Sequence, residues 1–253
     1  MRFASLGSGS RGNATLVELR HTLVMLDCGF SCRETERRMA GLGCSPADLS
    51  AVIVTHEHGD HVRGVPALAR KYGLPVWLTH GTHRMLRDSE LPDVRHFHGQ
   101  EAFSVGDLRV SPFTVPHDAG EPCQMTFDDG QRRLGILTDT GRITPHIRAS
   151  LDAADALLLE CNHDAAMLAE GPYPAALKRR VGGPQGHLSN AQACTLLREL
   201  DTTRLQHVVA AHISEKNNAP ALARGALAEA LDCGEEWIGI AGQDEGLDWR
   251  EIV

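Results

Sequence analysis

The sequence predicts an α/β fold of sheets covered by helices, and three observations carry that prediction. Short apolar, β-branched runs open the chain, helical patterns then alternate with further strands, and histidines and aspartates gather where strands give way to loops. The 253 residues suffice for a large core, and no Pro/Gly/Ser-rich linker, repeat or low-complexity stretch divides them. One domain spanning residues 1–253 is therefore expected.

Arg2–Leu6, Ala14–Leu19 and Thr22–Asp27 read as strands. Between the first two lies Gly7-Ser-Gly-Ser-Arg-Gly-Asn13, a glycine-rich loop without the Lys-Ser/Thr ending of a phosphate-binding loop; it is expected to wall a site. Ser31–Leu42 reads as a helix, with Ser31 as N-cap, Glu34 three residues on and Gly43 as terminator. Ala51–Thr55 is a short apolar strand ending at His56. Val62–Tyr72 reads as a helix, Pro75–Leu78 as a strand and Thr82–Ser89 as a helix. Strands are expected near Leu108–Val115, and Asp129-Gly130 as the tip of a hairpin between Cys123–Asp128 and Arg132–Thr138. The second half continues with a strand at Ala156–Glu160 and helices at Pro174–Val181 and Asn190–Leu200. A strand at Gln206–Ala211 ends at His212, a helix covers Pro220–Leu231, and short strands close the chain near Trp237–Ala241 and Leu247–Glu251.

Composition narrows the function. A hydrophobic fraction of 42% with 23% charged residues is ordinary for a globular protein. No apolar run approaches the ~18 residues of a membrane span, and Met1–Leu6 lacks the form of a cleaved leader, so a cytoplasmic location without a membrane partner is expected. The seven cysteines are odd in number, scattered and free of any C-x-x-C pair, which reads as reduced thiols. The net charge of −8 means that a nucleic-acid substrate would need a local basic patch or metal ions to offset repulsion. Fourteen histidines against two tyrosines is a skewed ratio, explained if several are ligands.

The informative segment is Val54-Thr-His56-Glu-His58-Gly-Asp60-His61. Three imidazoles and a carboxylate directly after an apolar strand can be turned by a loop toward one point. These donors suit Zn²⁺ or Mn²⁺, with Fe²⁺ as a further candidate. Four of them so close exceed what one tetrahedral ion takes from a single loop, so two adjacent divalent ions are the economical reading.

His56-x-His58-x-Asp60-His61 resembles the signature of the metallo-β-lactamase superfamily, whose members fold as an αββα sandwich of two mixed sheets with two metals at one edge. The resemblance asks for a further His, a bridging Asp and a final His at strand ends. Val115-Pro-His117-Asp118, Leu137-Thr-Asp139-Thr140 and Ala210-Ala-His212-Ile-Ser214 supply them in order. It implies that His56, His58 and His117 hold one metal, that Asp60, His61 and His212 hold the other, and that Asp139 bridges. His96 and His98 compete with His117 for its part. An Asp rather than a Cys at the bridging position resembles the phosphodiesterase, nuclease and thioesterase branches, not the antibiotic-hydrolysing one.

Flanking words add to this. Ser5–Asn13, Pro-His117-Asp118-Ala, Leu159-Glu160-Cys-Asn162-His163-Asp164, Gly186-His187-Leu-Ser189-Asn190 and His212-Ile-Ser214-x-x-Asn217-Asn218 are together similar to the YycJ (WalJ) group of bacterial metallohydrolases, a group linked with DNA exonuclease activity. The His187 segment also resembles the histidine-bearing helix start of ribonuclease Z, with Glu160 in the place of its acidic partner. The interval between Asp139 and His212 leaves no room for an inserted nuclease domain, and no glycine/basic arm for gripping transfer RNA is present.

What this implies is a hydrolase that cleaves phosphodiester bonds with a hydroxide shared by two divalent ions. Asp60 doubles as proton acceptor. His187, held by Glu160, donates to the leaving oxygen, since a neighbouring carboxylate favours a charged imidazole. Asn162, His163, Ser189, Ser214 and Asn217 are candidate substrate contacts, although Ser189 equally reads as a helix cap and His163 as a buried hydrogen-bonding residue. Asp27 is expected to orient a ligand imidazole, or else to be a plain turn residue. Lys178-Arg179-Arg180 meets a phosphate backbone or is a solvated helix face. A small-molecule hydrolase of the same fold, acting on a thioester, lactone or cyclic nucleotide, is the alternative; a homodimer is one expectation for assembly.

Overall fold

The computed structural model describes every residue from Met1 to Val253. Its strands form two seven-stranded sheets. The first runs in the order β14 (Leu247–Glu251), β1 (Arg2–Gly7), β2 (Ala14–Leu19), β3 (Thr22–Leu26), β4 (Ala51–Ile53), β5 (Pro75–Leu78), β6 (Asp93–His96). The second runs β13 (Ile238–Ile240), β12 (His207–Ala211), β11 (Ala156–Glu160), β10 (Arg133–Leu137), β9 (Cys123–Asp128), β8 (Leu108–Thr114), β7 (Phe103–Val105).

Each sheet begins as an antiparallel meander and continues as parallel strands, β3 to β6 in one and β10 to β13 in the other. Parallel neighbours need crossovers, and helices supply them: Cys32–Gly41, Val65–Tyr72 and His80–Met85 for the first sheet, Pro145–Leu151, Asn190–Glu199 and Pro220–Leu231 for the second.

Period-two burial explains why the strands read as continuous apolar runs. In β3, Val24 and Leu26 enter the core shared by the two sheets, while Leu23 and Met25 enter the core under the helices. In β11, Ala156 and Leu158 face the shared core, and Leu157 and Leu159 face the other helix layer. Both faces of each sheet are covered, as parallel sheets require. The result is four layers, helix–sheet–sheet–helix: the metallo-β-lactamase architecture expected above.

Several expected bounds shift. The helix expected over Val62–Tyr72 is two, Gly59–Val62 and Val65–Tyr72, separated at Arg63-Gly64. Pro66 cannot donate within a continuous helix but fits the first turn of the second. Gly64 lies so near Phe30 that an added Cβ would sit 2.0 Å from its carbonyl oxygen. The helix expected over Thr82–Ser89 covers His80–Met85, because Thr79 caps it by accepting from the Thr82 N–H at 3.1 Å. The strands expected to reach Asp27 and Thr55 stop at Leu26 and Ile53. β6, β7 and the helices Pro145–Leu151 and Ala165–Glu170 were not anticipated.

Candidate metal centre

The carboxyl ends of the parallel strands deliver most of the site, the usual place for ligands in α/β sheets. Asp27 follows β3, the His56–His61 loop follows β4, Asp139 follows β10, Glu160 ends β11 and His212 follows β12; His117 follows antiparallel β8. Three of these residues turn through the left-handed backbone region: Asp27 at φ 61°, Asp139 at φ 54° and His212 at φ 51°. That conformation costs about 1–2 kcal/mol for a residue bearing a Cβ. Three such costs at one place mark a geometry over-determined by its surroundings.

The His56–His61 loop is stitched to the first sheet's edge. Asn13 N–H donates to Asp60 O at 2.8 Å and Cys28 N–H to His61 O at 2.7 Å. Gly29 is required here, since an added Cβ would lie 1.7 Å from Asp60 O. Asp27 Oδ1 accepts from Thr55 N–H at 2.8 Å, and its Oδ2 meets Thr55 Oγ1 at 2.9 Å and His61 Nδ1 at 2.8 Å. His61 Nε2 is thereby aimed at Asp139 Oδ2, 3.2 Å away. An Asp27→Ala protein is expected to bind Zn²⁺ about 10–100-fold more weakly; equal affinities in competition with a fluorescent chelator would contradict this part for Asp27.

Two ligands on one tetrahedral zinc, each at 2.0–2.1 Å, stand about 3.3 Å apart. His56 Nε2 and His58 Nδ1 are 3.1 Å apart, and His58 Nδ1 and His117 Nε2 3.2 Å. Asp139 Oδ2 is 3.1 Å from His212 Nδ1 and its Oδ1 is 4.0 Å from His117 Nε2, so the carboxylate lies between the groups. Asp60 Oδ2 lies 3.5 Å from His61 Nε2 and 3.9 Å from His212 Nε2, a looser set. All seven expected ligands converge, and this imidazole–carboxylate cluster is suited to divalent metal. The competing His96 and His98 are elsewhere: His96 stacks on His80 with ring centroids 3.8 Å apart.

Electrostatics prepares the two halves differently. Burial, then the charge of His61, hold His56 well below the ordinary imidazole range, so it is neutral and offers a lone pair. His61 is buried, yet Asp139, Asp27 and Asp60 lift it well above that range. His212 is likewise buried but lifted to about 9, chiefly by Asp139. In the metal-free protein both therefore carry protons at neutral pH, and a metal must displace them. Because each bound metal must expel those protons, metal affinity is expected to fall as pH drops from 8 to 6. Calorimetry in buffers of differing ionisation enthalpy should show about two protons released per chain loaded; no release would contradict it.

A cavity of about 300 Å³ opens over the cluster, walled by Ser10, Asn162, Tyr173, Arg180, His187 and Ser214, among others. His187 Nδ1 lies 2.8 Å from Glu160 Oε1 and 3.5 Å from Asp139 Oδ1. Glu160 is fully buried, and its Oε2 accepts from the Thr140 and Leu188 N–H groups, both at 3.1 Å. Of the expected substrate contacts, Asn162 and Ser214 line this cavity. The other three do not. Ser189 caps the helix Asn190–Glu199 in a reciprocal box with Gln192, Asn217 is buried against Ser214, and His163 is buried with Nδ1 unpartnered. Of the basic run only Arg180 lines the cavity, tied to Asp118 at 2.6 Å, while Lys178 caps Ala169 O.

Sequence reasoning missed Ser8, Asn13 and Thr55. Ser8 Oγ accepts from His212 N–H at 2.9 Å, and Asn13 Nδ2 stands 3.2 Å from Asp60 Oδ2 and 3.1 Å from His61 Nε2. Their signal was present: Ser8 and Asn13 belong to the glycine-rich loop, whose function as a wall is thus an anchoring one.

Residues 22–213 match the family described as a beta-lactamase superfamily domain. The chain is 35% identical over 248 residues, 95% of its length and 92% of the relative's, to the exodeoxyribonuclease YycJ of Bacillus anthracis. It is 30% identical over 245 residues, 94% and 91% of the two chains, to the exodeoxyribonuclease WalJ of Streptococcus pneumoniae. Among solved structures, the metallo-beta-lactamase fold protein YhfI from Bacillus subtilis shares the fold at a TM-score of 0.74, with 15% identity and 99% of each chain covered. The family match over residues 22–213 and the similarity over nearly the whole length, together with the architecture, establish that the chain belongs to the metallo-β-lactamase superfamily of hydrolases.

Proposed function

We propose that the protein is a two-metal phosphodiesterase that degrades DNA from its ends. The observation that carries this reading is the His187–Glu160 pair, set beside the metal cluster in the same cavity. Relatives named exodeoxyribonucleases, similar over nearly the whole chain, support the choice of substrate.

In this reading His56, His58 and His117 would hold one ion and Asp60, His61 and His212 the other, with the Asp139 carboxylate available to both. Two divalent ions so held, Zn²⁺ or Mn²⁺ with Fe²⁺ as a further candidate, would supply an activated water and neutralise charge on the phosphoryl oxygens. Asp60, half-buried at the cavity wall and lowered to about 2 because its histidine neighbours outweigh burial, stays a carboxylate and accepts the proton of the attacking water. Glu160 fixes His187 through Nδ1, leaving Nε2 without a protein partner and free to protonate the departing oxygen. Asn162 and Ser214 line the space beside it and contact the substrate. An alkoxide needs such an acid more than a thiolate does, which favours phosphodiesters over thioesters.

No helix is long and apolar enough to cross a membrane. We take the chain as one domain acting in the cytoplasm, where its seven free cysteines would stay reduced. Protein loaded with Mn²⁺ or Zn²⁺ should hydrolyse bis-p-nitrophenyl phosphate and release mononucleotides from end-labelled duplex DNA. Turnover of a thioester alone would overturn the reading in favour of a small-molecule hydrolase.

A further inference from the structure

A second cavity, of about 700 Å³, lies beside the first and shares His58 and Gly59 with its lining. Val62, Pro66, Ala67 and Leu86 form an apolar strip in its otherwise polar and charged lining, and Met85 stands at 59% exposure beside them, one of four exposed large hydrophobics in the chain. The charged lining residues are mostly spoken for. Asp88 holds Arg70 through two bonds at 3.0 and 2.8 Å, Asp118 holds Arg180, and Glu57 Oε1 accepts from the Gly120 N–H at 2.8 Å. Among the arginines of the lining, Arg63 and Arg87 are uncommitted: both are exposed, and neither guanidinium makes an ion pair or hydrogen bond with the protein.

A nucleic-acid strand alternates an anionic backbone with the apolar faces of its bases. A groove with an apolar strip, two uncommitted guanidiniums and a wall shared with the proposed phosphodiester-cleaving centre matches both properties. It also gives a chain of net charge −8 two unpaired positive side chains at which to meet a polyanion. Arginine suits the task, since its planar fork pairs with phosphate oxygens. We infer that this groove holds the single strand flanking the scissile phosphate, with Arg63 and Arg87 on its phosphates and Met85 and Leu86 against its bases. The inference rests on the phosphodiesterase reading and extends it to an open-ended substrate longer than the first cavity can enclose.

The test compares wild type with Arg87→Glu and with the double variant Arg63→Glu/Arg87→Glu, all metal-loaded, on two probes. Fluorescence anisotropy of a labelled single-stranded DNA hexamer reads the groove; bis-p-nitrophenyl phosphate, too small to extend into it, reads the centre. Expected are hexamer binding weakened at least about tenfold in the double variant and a log Kd–log salt slope shallower by about 1.4, two contacts at about 0.7 each. Metal content, thermal midpoint and small-substrate turnover should stay within twofold of wild type. Unchanged hexamer binding with intact small-substrate turnover would overturn the groove while leaving the phosphodiesterase reading in place. Equal losses on both probes would also overturn it, since the arginines would then serve the centre itself. Failure of wild type to cleave any phosphodiester would remove the reading beneath it and the groove with it.

Discussion

Replacing His187 with alanine is expected to lower kcat on phosphodiesters by about 10²–10⁴-fold, the range for loss of a positioned proton donor, while the protein keeps its metal. The two outcomes need separating because His187, Glu160, Asp139 and His212 bring donor atoms within 4.8 Å of one another, close enough to read as a ligand group. If His187 ligated a metal, its removal would lower metal content along with rate. If it serves as the acid, metal content stays while the rate falls. Substrates with good leaving groups such as p-nitrophenolate should suffer less than DNA, because a weakly basic leaving oxygen needs little protonation. Metal analysis and kinetics on both substrates check the prediction; a similar loss on both, accompanied by lost metal, would assign His187 to the ligands.

An Asp139→Asn protein is expected to lose metal from both positions and at least about 10³-fold in rate, the scale of removing preorganised electrostatic stabilisation. Asparagine keeps the shape and tolerates the left-handed backbone at φ 54°, so the substitution removes charge with little cost to the fold. Burial alone would raise the Asp139 pKa; His212 and His61, the latter reaching Oδ2 at 3.2 Å, instead hold it well below the carboxylate range. The same charge keeps those imidazoles protonated when metal is absent. Removing it therefore disorganises both halves at once. Metal content near that of wild type, measured after dialysis at fixed free Zn²⁺, would contradict a shared carboxylate.

Most of the architecture was legible because period-two and helical patterns are local. Pro75–Leu78, Pro220–Leu231 and Leu247–Glu251 fall where the residues place them. β6, Asp-Val-Arg-His, escaped notice because it is a half-exposed edge strand that pairs only with β5, so it carries no apolar run. Pro145–Leu151 escaped despite a readable signal: Thr144 accepts from the Ile147 N–H ahead of a proline at the first helical position.

The converging cluster was legible because the His56–His61 loop is contiguous, and His117, Asp139 and His212 follow it at strand ends in the order the family resemblance asks for. Its finer division was not. Which donors stand within reach of one another depends on rotamers and on left-handed turns at Asp27, Asp139 and His212, none of them encoded in spacing. Ser189 shows the same limit, since a hydroxyl two residues after His187 reads alike as substrate contact and as helix cap.

The decisive measurement is anomalous diffraction from crystals grown with Zn²⁺ or Mn²⁺. Two peaks about 3.5–4 Å apart are expected, one against His56, His58 and His117, the other against Asp60, His61 and His212, with Asp139 touching both. A single peak at saturating metal, or peaks away from these side chains, would contradict a two-metal hydrolase.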